Sequence, residues 1–418
     1  MKTKFIFTKS SLIIILFFCF GINFTGQDLL PMINSGNQYL SEGEYNLAID
    51  QFDMALNIDE YFPNALIGKA KSLLGLKNHN AAIDELKKAI NNNDSVPEAF
   101  LELGKIHYSF GNYSAANRAF EAGVEESDGH ASLHYYLGSS LYKLEHYNDS
   151  EKKLLLALQY GDSSAYLFYY LCELNLMKDS LTEAMTNVDL AIERNANIPR
   201  FHLAKGDVSF AMEDYLWSSL HYSTALRLNP DYLDARVARA HAYLADEKHV
   251  LALADLRKIV EEEPDLPQAW ADKATCEFAL EKYEDAIDSY GQAFNLEEDY
   301  SWISKRAIAY QLLGEFKSAI NDLHFLVLQF PDDSKLRFRL GNVYQLDSQY
   351  ENALEEYKKC IELDRNDVLA WNNKAVVLYH LGKKEHACHI WNEIIGKSFD
   401  EDFKDMAKHN IVNYCREE

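Results

Sequence analysis

The densest group of potential metal ligands in the chain lies near its C-terminus. His386, Cys388 and His389 follow one another closely, and His380 and His409 are the nearest further histidines. A zinc site needs three or four such side chains to converge, usually from CxxC or HExxH spacing. On one helix, residues this close together project from different faces. With neither motif present, the sequence predicts packing or surface histidines here and no metal site.

A second cluster that could hold a cation is the acidic run Glu261, Glu262, Glu263 and Asp265 around Pro264. A calcium loop needs alternating oxygen ligands and a glycine at its sharp turn, and this run has neither. We therefore expect a solvated turn. The sequence also has no glycine-rich phosphate loop, nucleophile motif or paired catalytic residues. It predicts a protein that is not an enzyme and that uses no cofactor.

The cysteines do not form a pattern that predicts cross-links. After Cys19 they follow at irregular spacing as Cys172, Cys276, Cys360, Cys388 and Cys415. Export would leave these last five, and an odd number is not the even, regular set that marks a disulfide framework. We therefore expect the fold to rest on packing, with Cys172 and Cys360 serving as small buried residues.

The composition is that of a folded and acidic protein. Apolar residues make up 48% of the 418 residues and charged residues 25%, which is ordinary for a globular chain. The 65 acidic residues outnumber the 41 basic ones, so the formal net charge is −24. Because nucleic-acid binding needs a basic face that displaces counterions, DNA, RNA and anionic lipid surfaces are not expected partners.

Residues 1–26 have the three-part layout of a secretory signal. Lys2, Lys4 and Lys9 precede an apolar run, Leu12–Phe20, and small and polar residues follow as far as Gly26. This layout predicts cleavage near Gly26 and export to the periplasm or cell envelope of a bacterium.

Two alternatives for this segment stay open. Phe5–Phe24 could be retained as an uncleaved membrane anchor interrupted by Lys9, although the apolar run is short for a membrane span. Cys19 could carry a lipid, although the preceding Phe17 and Phe18 are bulkier than the small residues that resemble lipid-attachment motifs. Membrane contact is expected only through such an N-terminal anchor.

Small residues recur along the chain at a fixed interval. The interval is 34 residues, with one step of 33, through Ala48, Ala82, Ala116, Ser150, Ala184, Ser218, Ala252, Ala286, Ala319, Ala353 and Ala387. Twelve residues before each of these stands another small residue: Gly36, Ala70, Gly104, Gly138, Cys172, Gly206, Ala240, Ala274, Ala307, Gly341 and Ala375. Four residues after each member of the first series comes a bulky apolar residue, such as Phe52 or Tyr222. This regularity indicates stacked structural repeats.

Helix geometry explains the spacing. Residues three or four apart share one helix face, and small residues opposite bulky ones allow two helices to approach closely. Each unit is then a helical hairpin with faces that it cannot bury alone, so the hairpins must stack. Prolines mark the turns, after the second helix at Pro230, Pro264 and Pro331 and at the start of a hairpin at Pro63, Pro97, Pro199 and Pro267.

This spacing resembles the tetratricopeptide repeat, whose 34-residue pattern has a large residue near position 4, small residues at 8 and 20, an aromatic residue at 24 and proline near 32. The resemblance covers residues 29–401, although the family's tryptophan at position 4 remains only in Trp270 and Trp371. Residues 402–418 read as a capping helix with an apolar stripe formed by Phe403, Met406, Ala407, Ile411 and Tyr414. The expected fold is an all-α superhelix, a solenoid of about eleven hairpins and this capping helix.

The resemblance also implies a ligand-binding surface. In this family the first helix of each hairpin lines a concave groove through positions near 2, 5, 9 and 12. Over hairpins three to six this places an aromatic set in the groove: Tyr108, Tyr135, Tyr142, Tyr166, Tyr169 and Phe210. Tyrosine offers a large contact area and a polar tip at low entropy cost, so we predict a partner-binding site here. The alternative is that the rings pack against one another between adjacent first helices.

A second patch is positive in an otherwise acidic chain. It combines Lys305, Lys335, Arg337 and Arg339 with Asn342, Asn372 and Asn373. Charge of this sign would attract a carboxylate or an acidic peptide. Lys335 and Arg339 are similar to a basic pair with which some tetratricopeptide domains hold chaperone C-termini, but Ala271 and Thr275 stand where that clamp has lysine and asparagine. A solvated basic face is the alternative.

Together these features predict an interaction scaffold of the bacterial cell envelope that binds a protein or peptide segment. A non-catalytic targeting subunit of an envelope enzyme, with the tyrosines contacting polysaccharide, is the second hypothesis. The sequence identifies neither the partner nor the oligomeric state.

Overall fold

A computed structural model describes residues 26–93, 95–397 and 400–415, and all regular secondary structure within these ranges is helical. The predicted signal segment lies outside the described residues, apart from Gly26. The chain divides into two units, one ending at Ala204 and the other beginning at Lys205. None of the described helices is both long enough and apolar enough to span a membrane.

The helices of the first unit alternate with short turns. They are α1 (Gly26–Glu42), α2 (Tyr45–Leu56), α3 (Pro63–Gly75), α4 (His79–Asn92), α5 (Pro97–Ser109), α6 (Tyr113–Glu126), α7 (Ala131–Lys143), α8 (Tyr147–Gln159), α9 (Ala165–Met177) and α10 (Leu181–Arg194). The unit boundary falls within α11 (Pro199–Ala211).

The second unit continues in the same way. Its further helices are α12 (Tyr215–Leu228), α13 (Leu233–Ala245), α14 (His249–Glu262), α15 (Pro267–Ala279), α16 (Tyr283–Leu296), α17 (Tyr300–Leu312), α18 (Phe316–Gln329), α19 (Ser334–Leu346), α20 (Tyr350–Leu363), α21 (Val368–His380), α22 (Lys384–Gly396) and α23 (Glu401–Tyr414). Thus α1–α22 form eleven hairpins and α23 follows them, which confirms the predicted hairpin architecture. Pro63, Pro97, Pro199 and Pro267 begin α3, α5, α11 and α15 as expected.

The aromatic residue at position 24 explains why position 8 must be small. The buried Phe52 ring lies between Gly36 of its own hairpin and Gly68 of the next one. A Cβ atom would come within 2.7 Å of the ring at Gly36 and within 2.3 Å at Gly68. The ring therefore packs both helices of one hairpin and also joins that hairpin to its neighbour.

Position 4 carries an N–H donor in several hairpins, even where the family's tryptophan is replaced. Each donor bonds to the carbonyl oxygen six residues earlier in the preceding turn; the donors are His134, His202, Arg236, Trp270, Arg337 and Trp371. A carbonyl oxygen can only accept, so each histidine contributes a protonated ring nitrogen. Histidine and arginine at this position therefore fix the turn as tryptophan does.

Polar side chains link the two helices of single hairpins at matching repeat positions. In two hairpins, a position 7 arginine donates two hydrogen bonds to a position 23 aspartate, at 2.6 and 2.7 Å for Arg239 and Asp255 and at 2.6 and 2.8 Å for Arg306 and Asp322. Asp255 is buried, so this bidentate pairing supplies the charge partner that its burial requires.

The position 24 tyrosines reach position 9 on the first helix through their hydroxyl groups. Tyr222 donates to Asp207 at 2.7 Å, and Tyr357 donates to Asn342 at 2.8 Å. The Tyr290 hydroxyl lies 3.3 Å from the hydroxyl of Thr275. These buried rings therefore end on polar residues of the first helix.

The capping helix α23 closes the last hairpin by packing and by a covalent bond. Ala407 is fully buried against α21 and α22, and the Tyr414 ring stacks on Trp391 with centroids 5.6 Å apart. A disulfide bond joins Cys388 of α22 to Cys415. The expectation that packing alone would hold the fold is therefore wrong here, because α23 returns along α22 and brings two cysteines together. Cys172, Cys276 and Cys360 are buried.

Candidate functional site

The five predicted tyrosines of the first unit all lie on first helices of successive hairpins. Tyr108 is on α5, Tyr135 and Tyr142 are on α7, and Tyr166 and Tyr169 are on α9. Helix α7 contacts both α5 and α9, so these residues share one continuous surface within this unit. We call these five residues the tyrosine face.

The rings of the tyrosine face contact neighbouring rings. Tyr169 stacks on buried Phe201 at 5.6 Å between centroids and meets Tyr166 at 6.2 Å in an edge-on arrangement. Tyr142 lies 5.1 Å from the ring of Tyr170, a buried tyrosine that the sequence reasoning did not select. Much of the aromatic set thus serves packing between first helices, while Tyr166 stays 39% exposed.

Hydroxyl groups connect these rings into a polar network. The hydroxyl oxygens of Tyr108 and Tyr170 are 2.9 Å apart, and the Tyr142 hydroxyl donates to Glu173 Oε2 at 3.2 Å. Burial raises the pKa values of Tyr135, Tyr142 and Tyr170 well above the ordinary tyrosine range. The phenols therefore remain protonated donors at any physiological pH.

Glu173 is the polar residue at the centre of this surface that the sequence reasoning missed. It occupies position 9 of its hairpin, directly after the small Cys172, and is partly exposed. Burial raises the pKa of its carboxyl group, whereas hydrogen bonds from Tyr142 and Tyr169 and the charges of Arg200 and Lys143 act against that rise. A glutamate at a groove position among tyrosines is the feature of the sequence that could have indicated it.

Phe210, the sixth member of the predicted aromatic set, belongs to the second unit. Its ring packs on Tyr215 of α12 with centroids 5.3 Å apart. Its assignment to a binding site stays a prediction.

The basic patch, consisting of Lys305, Lys335, Arg339, Asn342 and Asn373, lies on the first helices α17, α19 and α21 of the second unit. Some of these residues form hydrogen bonds with one another or with the adjacent helix. Asn373 donates to Asn342 at 3.0 Å, and Arg339 donates to the carbonyl oxygen of Ser304 at 2.9 Å. Lys305 and Lys335 are exposed.

The two arginines near this patch differ in their partners. Arg337 pairs with Glu356 at 3.0 Å and caps the turn through Pro331, so its charge is used within the hairpin. Within the described residues Arg339 has no carboxylate partner within 4 Å, and burial lowers the pKa of its guanidinium group. Of the two arginines, Arg339 is therefore the one whose charge is not paired with a carboxylate of its own hairpin.

The histidine and cysteine group near the C-terminus does not converge. Cys388 is held in its disulfide bond, and His389 lies 3.9 Å from Glu393 on the same helix. Across the residues that the structure describes, no group of three histidine, cysteine, aspartate or glutamate side chains is arranged to hold a metal ion.

Comparison with known families identifies the repeat. A family described as "TPR repeat" matches residues 341–382, and one described as "Tetratricopeptide repeat" matches residues 67–131, 101–165 and 238–294. Human "Tetratricopeptide repeat protein 13" is 25% identical over 185 residues, which are 43% of this chain and 18% of the relative. "Small glutamine-rich tetratricopeptide repeat-containing protein 2" of Mycosarcoma maydis is 35% identical over 89 residues, which are 21% of this chain and 25% of the relative. The chain spans less than a third of the length of each of these relatives.

The chain is also similar to solved structures. The structure of Pseudomonas aeruginosa pilF has a TM-score of 0.48 and 17% identity, and the match covers 52% of this chain and all of that one. YrrB, described as a TPR protein with an unusual peptide-binding site, has a TM-score of 0.39 and 20% identity, with 44% of this chain and 95% of that chain covered. These likenesses concern the fold alone.

Proposed function

We propose that the chain, whose hairpins are similar to tetratricopeptide repeats, is a non-catalytic interaction scaffold of the bacterial cell envelope. It holds an extended or helical segment of a partner protein on the tyrosine face. Repeat proteins of this type commonly use the surface of successive hairpins to bind protein segments.

The observation that carries this proposal is the continuity of the tyrosine face over three successive hairpins. Tyr166 exposes 39% of its surface, and the other four tyrosines are half-buried with their rings held by neighbours. Rings that are already ordered lose little conformational entropy when a partner covers them. A rigid aromatic surface whose phenol oxygens can also accept hydrogen bonds is suited to a peptide backbone, which offers N–H donors along its length.

Two features support a location outside the cytoplasm. The sequence of residues 1–26 has the layout of an export signal. The Cys388–Cys415 bond is of a kind that persists in oxidising compartments and is rare where thiols are kept reduced. Cell fractionation, together with sequencing of the mature N-terminus, tests this part of the proposal.

Site-specific photo-crosslinking tests the binding role. A photoreactive phenylalanine analogue is placed at position 166 and, as a matched control, at Tyr160, which is 37% exposed but lies after the second helix α8. We expect one partner segment to be cross-linked from position 166 and little or nothing from position 160. Equal yields from both positions, or a pattern of unrelated proteins from position 166, would overturn the proposal.

A further inference from the structure

We propose that Glu173 and the tyrosine rings around it form a recognition site for a cationic side chain, an arginine or lysine of the bound segment. This inference rests on the proposed function and deepens it by naming the chemistry of the partner. The site is the juxtaposition of one partly exposed carboxylate with Tyr142 and Tyr169 on first helices of adjacent hairpins.

The carboxylate is held in place by the rings. The Tyr142 hydroxyl donates to Glu173 Oε2 across the boundary between α7 and α9, at 3.2 Å. Tyr169, one turn earlier on α9, also hydrogen-bonds to Glu173. Tyr142 rests on buried Tyr170, and Tyr169 rests on buried Phe201, so both supports are anchored in the core. The acceptor is therefore presented in a fixed position.

What Glu173 lacks is a close positive charge. Within the described part of the chain no lysine, arginine or histidine nitrogen lies within 4 Å of its carboxylate, and the charges of Lys143 and Arg200 act on it from further away. Two buried carboxylates elsewhere in the chain do have a close positive partner. Asp255 has Arg239 at 2.6 Å, and Glu277 has Lys273 at 2.9 Å. The desolvation of Glu173 is thus only partly offset by the protein itself.

An incoming cation would supply the missing charge. A carboxylate beside tyrosine rings favours a positive group through the ion pair, and a ring face that the cation reaches adds a second electrostatic attraction. Lys143 illustrates the second contribution, because its ammonium group already lies 5.8 Å from the centroid of Tyr142. The strongly acidic chain also attracts basic segments at long range. A guanidinium group fits best, since it can stack on a ring while pairing with the carboxylate.

The test uses two small probes that differ mainly in charge, N-acetyl-arginine amide and N-acetyl-citrulline amide. Binding to the full chain is followed by NMR of labelled tyrosine side chains. We expect the arginine probe to shift the Tyr142 and Tyr169 signals and to bind roughly tenfold more tightly than the citrulline probe, a difference of about 1.4 kcal/mol. Failure of the arginine probe to shift these signals, or equal affinity for both probes, would overturn the proposal.

Three variants identify the group responsible. Glu173→Gln keeps the shape and the hydrogen bonds and should abolish the preference for arginine. Glu125→Gln removes the same charge from an exposed site on α6 and should leave the preference intact. Lys143→Gln removes a competing cation and should strengthen arginine binding. If Glu125→Gln removes the preference as fully as Glu173→Gln does, net charge is responsible and the proposed site is wrong.

The same experiments separate this inference from the proposed function. If the cross-link from position 166 is obtained but the arginine preference is absent, only the cationic site is wrong. If the cross-link is absent, the binding role itself is wrong. Binding of a neutral oligosaccharide in place of the arginine probe would overturn the cationic site and favour polysaccharide contact.

Discussion

Gly104 of α5 lies directly against the ring of Phe120 of α6, so closely that a Cβ atom at residue 104 would come within 2.2 Å of Phe120 Cε1. The ring is fully buried and has no room to withdraw. A glycine inside a helix normally costs about 1 kcal/mol relative to alanine. Here the close approach of the two helices outweighs that cost.

Gly104→Ala should therefore destabilise the protein, although alanine is the better helix former. Overpacking costs typically 1–3 kcal/mol and the gain in helix propensity is about 1 kcal/mol, so a net loss of up to about 2 kcal/mol is expected. Urea unfolding followed by circular dichroism measures it. Gly129→Ala is the control, because nothing lies within 4 Å of the corresponding Cβ and it should change stability little. A stabilised Gly104→Ala variant would contradict the packing described.

Loss of the Cys388–Cys415 bond should loosen the capping helix. The double variant Cys388→Ser and Cys415→Ser opens a loop with a sequence separation of 27 residues, for which a destabilisation of roughly 2–4 kcal/mol is typical. Thermal melting with and without a reductant gives the measurement. The reductant should lower the melting temperature of the natural protein and leave that of the variant unchanged. A natural protein insensitive to the reductant would count against the bond.

Removal of Arg239 should lower the free energy of unfolding considerably, although its side chain is partly exposed. Arg239→Met leaves the buried Asp255 without its bidentate partner, and breaking a buried pair on one side costs about 3 kcal/mol. The double variant with Asp255→Leu removes both charges and should recover most of this loss. Lys152→Met, in the exposed pair with Asp149, should change stability far less than Arg239→Met does. If the single and double variants are equally unstable in urea, the charge pairing is not the cause.

The stability contribution of Glu173 should depend on pH with a definite sign. Burial raises the pKa of this carboxyl group in the folded protein. Between the unfolded and the folded pKa values the unfolded chain has already released its proton while the folded protein still holds it. Stability therefore falls as pH rises through this window. The charged and titratable groups that act on this carboxyl group are Tyr142, Tyr169, Lys143 and Arg200.

Glu173→Gln should therefore match the natural protein near pH 3, where the carboxyl group is protonated in both states, and should be the more stable of the two at pH 7. Urea midpoints of both proteins at the two pH values provide the comparison, in which the titration of other carboxyl groups cancels. A variant that is less stable than the natural protein at pH 7 would contradict the assigned direction.

The hairpins could be predicted because each repeat position imposes a steric requirement that is visible in one residue. A glycine or alanine at position 8 and a ring at position 24 recur with the period of the chain, as in Gly36 and Phe52. The role of position 4 was harder to predict, because His134 and Arg236 are chemically unlike tryptophan. Each nevertheless donates an N–H group to the turn before its own hairpin, as tryptophan does.

The repeat pattern does not show which side chains pair with one another in the folded protein. Cys388 lies in the last hairpin and Cys415 directly follows the capping helix, so the two cysteines do not occupy equivalent positions of a repeat. The Arg239 and Asp255 pair was accessible in principle, since the same sixteen-residue separation recurs in Arg306 and Asp322. Glu173 could be placed at position 9, but only the structure shows that it lacks a close cation.

The hydroxyl bonds from Tyr222 to Asp207 and from Tyr357 to Asn342 also bear on how such a chain can change over evolutionary time. A mutation of Asp207 removes this acceptor from the buried phenol of Tyr222, whereas the hydroxyl of Tyr357 keeps Gln345 Oε1 at 2.9 Å when Asn342 is replaced. Where position 24 is phenylalanine, as at Phe52 and Phe120, the core ring has no hydroxyl group and this coupling is absent. The tolerance of position 9 to mutation should therefore differ from one hairpin to the next.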